Sequence, residues 1–370
     1  MSIKYRALIT ADLHISNRLP HSKPIGKGVT DRLQDGISLL NRINSKAEEC
    51  GAESTFILGD TFDRSLVDAV TLTHTTSAIV GTKIPMYILA GNHDANSIRG
   101  GRFVVEAFGA MEHDLVRYLN EDTSPRSWLN FVSMPFSTIS EAENRIKKAK
   151  KRINKKIINV LLFHNSVLGC DHLEWTCDDG LDSKLLTTGF DYAFGGHFHE
   201  HQIFGKKNNG MYVGAPMHHN FGDRNRKAGF WIVDFYKTGE MKCEFVEGGA
   251  PKFHVTEKLE VDEIWNVGDY VRVEVEATHH DWITIRPEVK MFCDRISSQG
   301  IRASYKHKPI YHHKKRLSSV SKKTESVTIE GAMEEYVTSS GIVIGGLNKK
   351  RLKKIGNEIL QEARMEHGII

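Results

Sequence analysis

The stretch Ser54–Ser65 reads STFILGDTFDRS. A run fit for a buried strand passes straight into Gly-Asp, and a second aspartate follows at position 63. A strand covered on both faces shows no polar alternation, so an unbroken apolar run is what a central strand of an α/β sheet requires. The fold is decided by the recurrence of this phrase. YRALIT (Tyr5–Thr10) leads to Asp12 and His14, and PMYILA (Pro85–Ala90) leads to Asn92, His93 and Asp94. IINVLLF (Ile157–Phe163) leads to His164, and FDYAF (Phe190–Phe194) leads through two glycines to His197 and His199. Amphipathic stretches lie between the runs. Leu33, Ile37, Leu40, Ile43 and Ala47 recur at helical spacing, and Val70, His74, Ser77 and Val80 do so less regularly. Alternating strand and helix predicts an α/β domain whose strand carboxyl ends form a ligand-gathering rim.

The donors expected on that rim are carboxylates, imidazoles and one amide oxygen, with no thiolate. That set suits Mn²⁺, Fe²⁺ or Zn²⁺, with Mg²⁺ also open, and argues against a structural Cys-zinc site. Asp12, His14, Asp60, Asn92, His164, His197 and His199 are too many ligands for one ion. They suit two ions about 4 Å apart, with Asp60 placed to bridge them through its two oxygens. Glycines before Asp60, Asn92 and His197 let the backbone turn sharply beside the metals. Asp63 and Asp94 read as supports behind the ligands; Asp94 would either orient His93 or cap a helix. His218 and His219 follow Gly-Ala-Pro near the expected rim and are placed to touch substrate.

The chain has 370 residues, 40% hydrophobic and 26% charged, enough for a sizeable core and more than one domain. A net charge of +4 excludes a polycation, so any affinity for an acidic polymer must be local. Two stretches supply such charge. RIKKAKKRINKK (Arg145–Lys156) carries Lys147, Lys148, Lys151 and Arg152 and contains no acid. KHKPIYHHKKR (Lys306–Arg316) carries Lys314 and Lys315 with Tyr311 among them. Residues of this kind bind backbone phosphates with little sequence preference. The five cysteines lack any CxxC pair and read as reduced thiols, which implies a cytoplasmic setting. Neither a leader segment nor a membrane span is expected.

After His201 the texture turns to short strands, GMYVGAP, GFWIVDF and KCEFVEG, which read as antiparallel sheet. A small α/β module follows. DYVRVEVEA and IRASYK read as its strands, and RPEVKMFCDRISSQG as a helix with a glycine stop. The expected organisation is a site domain over 1–255, a cap over 256–310, a basic linker over 311–325 and a helical segment over 326–370 that docks on a partner.

The motif order D-x-H, GD-x-x-D-R, GNHD, H, GH-x-H resembles that of the calcineurin-like metallophosphoesterases, over roughly residues 1–250. The resemblance implies a four-layer α/β/β/α sandwich with a dinuclear centre. One metal would take Asp12, His14, Asp60 and His199, and the other Asp60, Asn92, His164 and His197. His93 would face the scissile phosphate. Core, cap, basic linker and helical tail together resemble the SbcD-type nuclease subunits of DNA repair and recombination. That implies Mn²⁺-dependent exonuclease action on duplex ends and endonuclease action on single strands. It also implies a homodimer, DNA as substrate, and an SbcC-type SMC-like ATPase docked on the C-terminal helices. Some DNA-cutting relatives carry a histidine where this chain has Asp63, so the number of catalytic imidazoles stays open. The rival readings are a small-substrate phosphatase or phosphodiesterase on the same core, and a DNA-end tether.

Overall fold

A computed structural model describes residues 4–97, 101–172 and 175–310; the expected basic linker and C-terminal helices lie outside the described residues. Two six-stranded sheets form the core. The first has the order β16 (Met241–Glu247), β15 (Gly229–Tyr236), β1 (Lys4–Thr10), β4 (Ser54–Leu58), β5 (Met86–Leu89) and β6 (Val116–Tyr118). The second has the order β13 (Gln202–Phe204), β14 (Gly210–Tyr212), β12 (Tyr192–Gly196), β9 (Ile158–His164), β8 (Leu129–Met134) and β7 (Thr123–Arg126). Two small hairpins, β2–β3 (Pro24–Gly26 with Val29–Thr30) and β10–β11 (Asp171–His172 with Trp175–Thr176), stand outside them.

The unbroken apolar runs follow from the layering. Along β1, Ala7 and Ile9 point between the sheets, where they meet Phe131, Val160, Leu162 and Phe194 of the second. Leu8, between them, points outward to Leu33, Ile37, Leu40 and Ile43 of α1 (Asp31–Glu49). In β9, Leu161 and Phe163 turn to the opposite outer face and pack against Ala142, Ile146 and Ala149 of α4 (Ile139–Arg152) and Leu186 of α5 (Ser183–Thr187). Helix, sheet, sheet and helix are thus four layers around three apolar interfaces. Because β1, β4 and β5 run parallel in one sheet, as do β9 and β12 in the other, their carboxyl ends meet at one edge of the sandwich. The remaining core helices, α2 (Ala69–Val80) and α3 (Glu106–Ala110), cover the first sheet.

The strands read as simple antiparallel sheet divide between the two sheets. β14 pairs parallel with β12 and antiparallel with β13, whereas β15 and β16 pair antiparallel with each other in the first sheet.

The stretch expected as a cap forms a wholly parallel three-stranded sheet, β17 (Phe253–Thr256), β18 (Tyr270–Ala277) and β19 (Arg302–Pro309), with α6 (His279–Ser298) between the last two. It begins at Phe253 rather than 256 and belongs to the same compact unit, Met1–Ile310, as the site. Val271 and Val273 face Val289, Phe292 and Ile296 of the helix. A charged latch joins cap to core. Arg302 Nη2 donates to Asp35 Oδ1 at 3.0 Å, and Arg302 Nε lies 3.4 Å from Asp31 Oδ2, both acids being on α1. Fully buried Arg32 lies 5.2 Å from the Phe253 ring and 5.3 Å from the Tyr270 ring.

All five cysteines are free thiols. Among the described residues no helix is long and apolar enough to cross a membrane.

Candidate metal centre

Three of the five motifs leave their strands through a costly backbone turn. Asp12, His14, Asp60 and His197 have φ of +55°, +45°, +50° and +105°, a region L-residues avoid unless their surroundings hold them there. These are half of the eight non-glycine residues with positive φ among the described residues, which marks strain concentrated at one place. Gly59 and Gly91 permit the approach: a Cβ at Gly59 would collide with the His164 ring, and one at Gly91 with the Asp60 carboxylate.

The turns bring the expected ligands together from both sheets. Asp60 Oδ2 lies 3.2 Å from His164 Nε2 and 3.7 Å from His14 Nε2, so one oxygen stands between the two imidazoles. Its other oxygen, Oδ1, accepts the His93 amide at 2.8 Å. Asn92 Oδ1 lies 3.1 Å from His164 Nε2 and 2.9 Å from His197 Nδ1. His14 Nε2 and His199 Nε2 are 3.1 Å apart. Asp12 is fully buried and accepts the His197 amide at 3.0 Å. Two nitrogen-rich groups result, one around His14 and His199 and one around His164 and His197, with Asp60 between them.

The electrostatics fit cations. Burial pushes the Asp12 carboxyl up to about 7; His164 opposes this and the Asp60 charge adds to it. Burial also works against charge on Asp60 and His164, yet their attraction wins: Asp60 is held below the usual carboxylate range and His164 is raised to about 9. Buried carboxylates side by side, and imidazole nitrogens aimed at one another and at an amide oxygen, are groups that divalent ions would satisfy together. The donor chemistry and the spacing therefore fit the metals the motifs imply.

The supporting residues divide the work differently from the sequence reading. Asp94 is buried and accepts the amides of Gly91 and Phe62 at 2.9 and 3.1 Å, pinning two ligand loops together. Its carboxyl, also raised to about 7 by burial, thus serves neither of the two roles expected for it. The Asp63 carbonyl orients His93 instead, accepting from Nδ1 at 2.7 Å, and Asp63 Oδ1 lies 3.8 Å from His14 Nδ1. With Nδ1 so engaged, Nε2 is the ring nitrogen left over. The residue is exposed, its ring lies 4.6 Å from that of His14, and one of its nitrogens falls within 4.8 Å of donor atoms of His14 and Asp60. A cavity of about 450 Å³ opens here, lined by Asp60, Asn92, His93, His197 and His199 with Asp179 on its wall.

The two histidines after Gly-Ala-Pro do opposite things. His218 turns from the cavity; its Nδ1 accepts the Phe253 amide of the cap at 3.2 Å. His219 turns inward against His14 and His199. Only their closeness to the GH-x-H motif in sequence hinted at this.

The basic residues lie elsewhere. β8 and β9 run parallel to each other with their carboxyl ends at the rim, so α4, which connects them, starts at the rim with Thr138 and carries its charged end away from it. Lys150 there sits over Phe190, ahead of the rim-distant start of β12. Lys147 pairs with Glu143 at 3.0 Å and Arg152 with Asp122 at 2.9 Å. Lys148 and Arg152 line a separate cavity of about 520 Å³ with Arg102 and Arg145, and Lys151 is exposed. Lys314 and Lys315 lie outside the described residues.

Known proteins complete the picture. The chain is 24% identical over 275 residues to the SbcD component of the SbcCD nuclease of Staphylococcus epidermidis, covering 64% of this chain and 68% of that protein. A dimetal phosphatase from Danio rerio superposes with a TM-score of 0.46 at 10% identity, covering 66% of this chain and 97% of that one. The purple acid phosphatase PPD1 of yellow lupin gives 0.45 at 13% identity, covering 67% and 52%. Residues 5–201 match the model of the calcineurin-like phosphoesterase family, whose fold implies divalent metal ions and hydrolysis of phosphoesters. Carrying that family's match over more than half its length, with its histidine and aspartate groups gathered at one rim, the chain belongs to the calcineurin-like phosphoesterases.

Proposed function

We propose that this chain is a two-metal DNA nuclease subunit acting in repair or recombination on duplex ends and single strands. The observation that carries the reading is the convergence of His14, Asp60, Asn92, His164, His197 and His199 beside an open cavity with His93 at its edge. Asp12, His14, Asp60 and His199 would hold one ion, and Asp60, Asn92, His164 and His197 the other. Two divalent cations, Mn²⁺ as the best fit, would polarise the phosphoryl group and activate a water.

The chain's own residues do the rest. Asp60 sets the spacing of the two subsites through one oxygen while its other oxygen fixes the His93 loop. The Asp63 carbonyl holds His93 in one tautomer, so that Nε2 faces the phosphoester and serves the departing oxygen. The likeness to a component of the SbcCD nuclease favours DNA over a small ester and an SbcC-type ATPase as partner. The resemblance of motifs and domain order to SbcD-type subunits further implies that residues 326–370 would bind that ATPase and that the core would form a homodimer. Five free thiols accord with a cytoplasmic setting.

The test uses the full chain with labelled linear duplex and single-stranded DNA, with Mn²⁺, Mg²⁺ or chelator, beside a chromogenic phosphate ester. DNA cleavage that needs Mn²⁺ is the expected result. Turnover of the ester alone would replace the nuclease with a small-substrate phosphatase. DNA binding without any cleavage would make the chain a tether.

A further inference from the structure

His219 is buried among the proposed ligands, and none of the roles above uses it. Its ring centroid lies 4.8 Å from that of His14 and 4.9 Å from that of His199. One ring nitrogen from each of the three falls within 4.8 Å of the other two. Nε2 sits 3.0 Å from the Asp12 carbonyl oxygen. A carbonyl only accepts, so Nε2 carries the hydrogen and, in the neutral ring, Nδ1 carries the lone pair. Nδ1 is sealed from solvent and has no hydrogen-bond partner among the described residues. The Nε and Nη1 groups of nearby Arg32 likewise make no hydrogen bond, so they do not serve it.

A buried imidazole that gives one N–H to a main-chain carbonyl and keeps its second nitrogen free is arranged as metal-binding histidines are. His164 is set in the same way: its Nδ1 faces the Leu58 carbonyl at 2.7 Å, leaving Nε2 toward Asp60 and Asn92. A buried nitrogen with nothing to meet it costs stability, so its retention beside two other imidazoles points to a ligand.

We propose that His219 is an additional ligand of the cation held by His14 and His199. The inference rests on the two-metal reading above. It makes the two subsites unequal. The first would offer three imidazoles and two carboxylates, and the second two imidazoles, one carboxylate and one amide oxygen. Imidazole favours transition ions over Mg²⁺, so the first subsite would be the more selective for Mn²⁺.

The experiment is Mn²⁺ binding by the full chain, followed through the paramagnetic signal of the free ion, with Mg²⁺ as competitor. Wild type, His219→Ala and His219→Phe are compared, the phenylalanine keeping the ring volume. One of two Mn²⁺ sites should weaken by roughly 10- to 100-fold in both variants, with a smaller preference over Mg²⁺ and an unchanged second site. The metal-free melting temperature of His219→Phe should stay at the wild-type value. Two unchanged Mn²⁺ sites in His219→Phe would overturn the inference and leave the two-metal centre standing. Equal weakening of both sites with a fall in metal-free stability would reduce His219 to packing and overturn it as well. Wild type that takes up fewer than two Mn²⁺ would sink the two-metal reading and this inference with it.

Discussion

The metal centre and the cap are built on opposite principles. At the centre, four residues sit in left-handed backbone conformations and buried carboxylates are pushed off their ordinary pKa values. The cap is a β-α-β unit of common form, stabilised by valines against one helix and joined to the core by an arginine latch. Strain that folding alone would remove is retained where chemistry needs it, and the module beside it obeys ordinary packing. Substitutions in the first region should therefore cost function with little loss of stability, and substitutions in the second the reverse.

Asp60→Asn puts the greatest load on that contrast. Losing the oxygen between the subsites should lower phosphodiester hydrolysis by at least about 10³-fold. Bound metal should fall below two ions per chain by elemental analysis, with the urea midpoint nearly unchanged. His93→Ala comes next. It should keep full metal content and lose roughly 10²-fold in the rate constant, the lower end of what a proton donor contributes. A loss of metal in that variant would show His93 to be structural. Arg302→Ala crosses to the cap. Removing the charged hydrogen bonding to Asp35 and the ion pair with Asp31 should cost about 2 kcal/mol in urea unfolding, with metal content intact.

The smallest effect belongs to a pair far from both regions. Arg6 donates from Nε and Nη2 to Asp234, each at 2.7 Å, at the opposite end of β1 from Asp12. That hydrogen bonding, with Lys4 adding to it, lowers the Asp234 pKa below its ordinary 3.8. A depressed carboxyl stabilises the fold above its unfolded pKa and loses that contribution as pH falls through the folded value. Asp234→Asn should therefore cost about 1 kcal/mol at neutral pH. The difference from wild type should hold down to about pH 4 and vanish below it in acid-titrated melting curves.

Legibility in the sequence follows the same divide. The gathering of these side chains could be read because each follows an apolar run, and no packing preference would place aspartate or histidine there on five strands. Helix faces were harder. Along α2 the spacing of Val70, His74 and Val80 pointed to one stripe, yet Thr71, Thr75, Ala78 and Ile79 are the buried positions. Thr71 can be buried because its hydroxyl is met locally by Asp68 at 2.8 Å, a pairing hydropathy does not register. In the cap, RPEVKMFCDRISSQG reads as the helix, which would begin at Arg286, but α6 starts at His279, capped by Thr278, and carries Pro287 inside. The cost of a proline amide missing from the helix ladder is outweighed by the Val289–Ile296 face packed on the sheet. His219 was placed near the rim by its position in sequence, but its contact with His14 depends on the 218–226 segment folding back, which no local pattern encodes.

That segment links the two regions by adjacent residues. His218 holds the first strand of the cap by its backbone amide, and His219 rests on the carbonyl of Asp12. Any tilt of the cap must either stretch the first bond or drag the next residue with it. The module is thereby geared to the candidate metal centre, and a load arriving on the cap would be felt as a displacement at the floor of that centre.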